Sequence, residues 1–180
     1  MLGLEYTLCS QETIVHPEIN CWSGSPDGEK FDEGKTVIDF KCPITLKSFC
    51  QLVDPVLNDK GEVIHKALTI EAVRENHRDG EKYYWQLVSN AILTGAKYAE
   101  LIVYVPYQSE LQSIRDYAAN LDGDQRGYYW LSGATDDELP YLIEGGLYKN
   151  INIIRFEIPE SDKRALTGRV RVASERLIKV

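Results

Sequence analysis

The chain contains no run of about eighteen apolar residues, so a membrane-spanning helix of ordinary length is excluded. Residues Met1 to Ser10 lack the basic flank and apolar stretch of a secretory signal. A cytoplasmic location without a membrane partner is therefore expected. Cysteine is scarce. Cys9, Cys21, Cys42 and Cys50 form no C-x-x-C pair, so their spacing does not ask for a zinc or iron–sulfur centre. Reduced thiols packed as small hydrophobes are the expectation. His16, His65 and His77 make no zinc motif either. Internal repeats and low-complexity tracts are also missing. What remains is one ordinary domain over residues 1–180, long enough to bury a real core.

The composition present is that of a globular protein, with 43% hydrophobic and 27% charged residues. A net charge of −8 argues against a general binder of polyanions. The distribution is uneven, however. Lys163, Arg164, Arg169, Arg171, Arg176 and Lys179 stand against Glu175 alone. A basic end beside an acidic body suits either a phosphate-contacting edge or a solvated C-terminal segment.

Residues 11–27 read as extended, with Thr13-Ile14-Val15 as a β-branched run, and Ser25-Pro26-Asp27-Gly28 reads as a turn. The charged residues 30–35, with Gly34, suit a hairpin loop. Thr36 to Lys41 is a strand by its β-branched and aromatic residues. Alternation puts Val37, Asp39 and Lys41 on one face and Ile38 and Phe40 on the other. Pro43 can open the next helix. Residues 54–80 read as a long excursion. Asp79 is placed to cap a helix from Glu81 to Lys97, where Tyr84, Leu87, Val88, Ala91 and Ile92 recur with helical spacing. Tyr98 to Tyr107 reads as a strand, 108–121 as a helix, and Ile151 to Ile158 as a strand with a helix after Pro159. The order strand, strand, helix, strand, helix predicts a mixed α/β core.

The chemistry lies in Asp27 and in Asp39-Phe40-Lys41. Phosphodiester hydrolysis needs a nucleophilic water and stabilisation of charge on the phosphoryl oxygens, and a divalent ion supplies both. Hard cations take oxygen ligands, often one or two carboxylates plus water. An acid at a turn, an acid on the adjacent strand and the Phe40 carbonyl could meet at one ion, with Lys41 beside it to orient water or steady negative charge. Taken singly, each piece has a plainer reading. Pro-Asp-Gly is a common turn, and Asp-x-Lys on a strand is usually a surface ion pair. Tyr128-Tyr129-Trp130 suits either stacking on unpaired bases or packing in a core or interface.

The pieces arrive in order. Ser25-Pro26-Asp27-Gly28 precedes Ile38-Asp39-Phe40-Lys41-Cys42-Pro43; then come Tyr83-Tyr84-Trp85-Gln86 on a helix, Thr94-Gly95 near its end, and the strand Leu101 to Tyr104. This set resembles the phage lambda exonuclease / YqaJ viral recombinase family of PD-(D/E)XK nucleases, closely over residues 12–110 and loosely beyond. The resemblance implies a restriction-endonuclease-like core, a central mixed β-sheet flanked by helices. It implies an exonuclease acting on double-stranded DNA in phage-type recombination, with Mg²⁺ as cofactor and Mn²⁺ as its substitute. Its partners would be a single-strand annealing protein and further copies of the chain in a ring-like trimer. Residue by residue, Asp27 and Asp39 match the metal-binding acids, Phe40 the main-chain ligand, Lys41 the catalytic lysine and Gln86 the helix glutamine near the site. Asp39 stands where the family more often has glutamate.

Relatives carry several dozen residues before the position matching Tyr6, with a further metal-site acid and basic groups for the DNA 5′ end. That part is expected to be missing here. Glu5 and Glu18 are stand-ins without the family's motif, and His16 is a candidate to line the site. Three readings stay open: an exonuclease, a non-catalytic nuclease fold that binds DNA or a recombination partner, and another endonuclease of the superfamily.

Overall fold

The computed structural model describes residues 6–8 and 13–177; Glu5, Cys9 and Lys179 lie outside them. The first half of the chain supplies strands β1 (Tyr6–Leu8), β2 (Ile14–Val15), β3 (Ser23–Gly24), β4 (Gly28–Phe31) and β5 (Lys35–Lys41). Next come helix α1 (Leu46–Val53), strands β6 (Val56–Leu57) and β7 (Val63–His65), and helices α2 (Ile70–Asn76) and α3 (Gly80–Thr94). The chain continues through β8 (Tyr98–Tyr104), α4 (Leu111–Ala119), β9 (Ile151–Glu157) and α5 (Glu160–Leu177).

Five strands form one mixed sheet in the order β1-β4-β5-β8-β9. Only β5 and β8 run parallel; the other pairs are antiparallel. A parallel neighbour needs a long crossover, and residues 42–97 provide it, with α1, α2 and α3 packed on one sheet face. The core on that face joins Val37, Leu101, Val103 and Ile154 to Phe49 and Leu52 of α1, Val73 of α2, and Tyr84, Leu87, Val88 and Ala91 of α3. This is the mixed α/β core that the element order predicts, with the central sheet and flanking helices that the resemblance implies. Among the described residues no helix is long and apolar enough to cross a membrane.

Several local expectations shift. The hairpin loop narrows to residues 32–34, because Lys30 pairs with Thr36 and Phe31 with Lys35. The helix after Pro43 begins three residues later, where Thr45 Oγ1 accepts the Ser48 N–H at 3.2 Å and supplies the cap. The excursion 54–80 is ordered into the β6–β7 hairpin and α2. Asn58 Oδ1 closes the hairpin by accepting the N–H groups of Lys60 (2.9 Å) and Glu62 (3.0 Å), and Thr69 caps α2. Asp79 sits at the N-cap of α3 but its side chain turns to Arg78 and makes no cap bond. The helix ends at Thr94, with Gly95 in the left-handed conformation (φ 72°) that glycine adopts without strain. β8 stops at Tyr104, short of Pro106. Cys21 and Cys42 are exposed and Cys50 is half-buried, so packing as small hydrophobes fits Cys50 alone. Tyr128, Tyr129 and Trp130 lie in a 3-10 segment and are more than half exposed, so they are not core.

Candidate active site

β5 carries Asp39 and Lys41 on the side of the sheet that the crossover helices cover. Val37 is in the core beneath α3, and Asp39 and Lys41 follow on the same face, as strand alternation requires. Asp39 is 2% exposed. A carboxylate so buried needs partners. Its Oδ1 accepts a hydrogen bond from Gln86 Nε2 of α3 at 2.9 Å. Its Oδ2 forms an ion pair with the Lys41 ammonium but meets no donor in hydrogen-bond geometry among the described residues. The Lys41 Nζ also lies 4.7 Å from the centre of the Tyr83 ring.

Asp27 stands where β4 runs out. Its N–H donates at 3.1 Å to the carbonyl of Ile38, the residue already paired with Gly28, so Asp27 lies just before the regular β4–β5 ladder. The next N–H on that edge belongs to Phe40, and the Asp27 carboxylate replaces the missing strand by accepting it at 2.7 Å. The N–H and C=O of a strand residue point to the same edge. The Phe40 carbonyl therefore faces the side that Asp27 occupies. Thus Asp27, Asp39, Phe40, Lys41 and Gln86, expected from the sequence as one constellation, lie together at one end of the sheet.

The electrostatics follow from this crowding. Burial pushes the Asp39 carboxyl above its ordinary range, the Lys41 ammonium offsets part of that, and the adjacent Asp27 carboxylate adds to it. A buried acid beside a second acid, with one oxygen held among the described residues only by the Lys41 ammonium, is a place where a further cation lowers the energy. The donors are all oxygen, which suits Mg²⁺ or Mn²⁺ and not a soft metal. Asp27, Asp39 and the Phe40 carbonyl would hold such an ion, with water completing its shell. Among the described residues no cluster of three His, Cys, Asp or Glu side chains occurs, here or elsewhere, so the site offers two carboxylates and one main-chain carbonyl.

Other candidates lie apart. Glu18 is exposed and ion-paired to Arg171 at 3.0 Å. His16 stacks on Trp22 with ring centres 5.0 Å apart and accepts the Glu18 N–H at 3.1 Å. Sequence reasoning passed over two buried polar groups. His77 accepts the Asp79 N–H and meets Ser48 Oγ at 2.9 Å. Glu100, 2% exposed, faces Arg155 (3.1 Å), Lys30 (3.6 Å) and the Tyr6 hydroxyl (3.0 Å) on the other sheet face. A signal for Glu100 was available. It is the only charge in Tyr98 to Tyr104, and Arg155 is its register partner on β9.

No protein-family profile matches the chain, and no characterised protein matches its sequence significantly. Among solved structures it is similar to an alkaline exonuclease (LHK-Exo) from Laribacter hongkongensis, at 16% identity and a TM-score of 0.41. The same enzyme in complex with dAMP gives a TM-score of 0.40 at 16% identity. In both, 97% of this chain is covered, and it spans 62% of the other chain's length.

Proposed function

We propose that the chain is a metal-dependent deoxyribonuclease that hydrolyses phosphodiester bonds of double-stranded DNA from its ends, with Mg²⁺ as the natural ion and Mn²⁺ able to replace it. The observation that carries this reading is the Asp39 carboxylate: buried, braced by Gln86, set against Lys41, and crowded by Asp27 at a strand end with a free carbonyl edge. The motif order supports the same reading, and it adds phage-type recombination, with an annealing partner and a ring of three copies, as the setting.

A bound divalent ion supplies Lewis acidity at the phosphoryl oxygen and lowers the pKa of a coordinated water. The chain's own groups do the rest. Gln86 holds the Asp39 carboxylate through Oδ1, so Oδ2, which faces Lys41, would be the oxygen offered to an ion. Asp27 fixes the Phe40 peptide, so the carbonyl keeps its aim. Among the described residues Lys41 is the cation at this centre, and it would sit where negative charge grows on the phosphoryl oxygens as the water oxygen bonds to phosphorus and the bond to the leaving sugar oxygen breaks. A proton from the attacking water ends on that leaving oxygen.

The test is digestion of linear duplex DNA labelled at either end by the parent and by Lys41→Ala, with and without Mg²⁺. The parent is expected to release label only with the ion, and Lys41→Ala about 10²–10³-fold more slowly. A folded parent that binds DNA but releases no label with Mg²⁺ would leave a non-catalytic DNA-binding role instead.

A further inference from the structure

We infer that His77, acting through Tyr83, is a positioning residue for Lys41, so that the ordered segment between β5 and α3 sets the turnover of the site. The inference rests on the proposed role of Lys41.

Lysine is a point charge on a flexible four-carbon stem and holds no direction by itself. Two contacts steady it here, the Asp39 carboxylate and the face of Tyr83 at 4.7 Å. The first is the contact that a ligated cation weakens, because the cation draws the same carboxylate oxygen and repels the ammonium. The Tyr83 face is then the remaining restraint, by attraction between an ammonium and the ring quadrupole.

Tyr83 is half-buried, and a ring in that setting turns unless something backs it. His77 does so. The two rings stack with centres 5.3 Å apart and planes 28° from parallel. His77 is 7% exposed and fixed at both ring nitrogens. Nδ1 accepts the Asp79 N–H at 3.1 Å, so the proton belongs on Nε2, which donates to Ser48 Oγ of α1 at 2.9 Å. The His77 backbone is anchored as well, its N–H to the Val73 carbonyl (3.0 Å) and its carbonyl to the Gly80 N–H (2.8 Å). Burial lowers the pKa of His77, which favours the neutral ring that stacks without repelling Lys41. Ser48, His77, Tyr83 and Lys41 therefore form one line of contacts across α1, the end of α2, α3 and β5.

The test uses Tyr83→Leu, Tyr83→Phe, His77→Ala and His77→Gln, each checked for folding by thermal melting. His77→Gln keeps a donor for Ser48 but has no ring, and it stands in should His77→Ala fail to fold. On duplex DNA with Mg²⁺, loss of the ring contact is expected to lower kcat about tenfold in Tyr83→Leu and in both His77 variants, with KM within about twofold. Tyr83→Phe keeps the ring face and is expected to stay within about twofold of the parent. Unchanged kcat in the His77 variants, or a loss confined to KM, overturns the inference.

A second measurement does not depend on cleavage. Reductive ¹³C-methylation leaves lysines charged, and the Lys41 signal is assigned by its absence in Lys41→Arg. Ring current from Tyr83 should move that signal upfield in the parent. The shift should vanish in Tyr83→Leu and shrink in His77→Ala. A shift that persists unchanged in His77→Ala overturns the positioning role, even where a parent without nuclease activity has already sunk the proposed function.

Discussion

At the scale of single residues, the site is a balance between burial and charge. Asp39 carries a carboxyl raised above its ordinary range by burial. The folded chain therefore holds that proton more tightly than the unfolded chain does. Stability from this group is present below the ordinary carboxylate range and falls as pH rises from there through the raised value. Asp39→Asn removes the effect. Its melting temperature, without metal, is expected to exceed the parent's at neutral pH, and the gap to close as pH falls below the ordinary carboxylate range. Adding Mg²⁺ should raise the parent's melting temperature and leave Asp39→Asn unmoved, because on the proposed reading only the parent keeps both carboxylates for the ion. Gln86 donates to Asp39 Oδ1, the oxygen beside the proposed ligand oxygen. Gln86→Ala is expected to lower metal affinity or cleavage about 10–100-fold, read from Mg²⁺ titrations of the rate.

Among elements, α2 and α3 meet closely at Gly80. A Cβ at Gly80 would stand 2.1 Å from the Val73 carbonyl oxygen and 2.8 Å from the Arg74 Cα, both backbone atoms. Gly80→Ala is therefore expected to destabilise by about 3 kcal/mol, measured from urea denaturation. The same substitution pushes apart His77 and Tyr83, which flank Gly80, so residual activity should fall with it. The motifs that were legible lie on elements whose pattern is local. Strand alternation places Asp39 and Lys41 on one face, and helical spacing places Tyr83 and Gln86 on one surface. Residues 54–80 were not legible, because their order comes from Asn58, Thr69 and His77 bonding across short distances that no hydrophobic period marks.

For the whole molecule, the sheet is pinned on its second face by charge. Arg155 meets Glu100 and also pairs with Asp32 of the β4–β5 loop. Arg155→Met leaves Glu100 buried with Lys30 and Tyr6 as its remaining partners. A loss of about 3 kcal/mol is expected in urea melts at neutral pH, the low end for a broken buried pair because those partners persist. The Arg155 guanidinium also holds the Asp32 carboxyl well below its ordinary range. That contribution exists above the ordinary carboxylate range and is lost as Asp32 protonates in acid. The deficit of Arg155→Met should therefore narrow as the pH falls.

The sequence by itself determined the fold class, the acids at the turn and on the strand, the lysine beside them and the helix glutamine, because each sits in a short periodic element or a turn with its own residue chemistry. Tertiary structure alone decided that Asp27 stands in for a missing strand at Phe40, that Asp39 Oδ2 is left without a hydrogen bond, and that His77 backs Tyr83 against Lys41. These depend on where β4 ends, on how closely α2 meets α3 and on which face of the sheet the crossover covers. All three are relations between residues on different elements, which no single periodic pattern records.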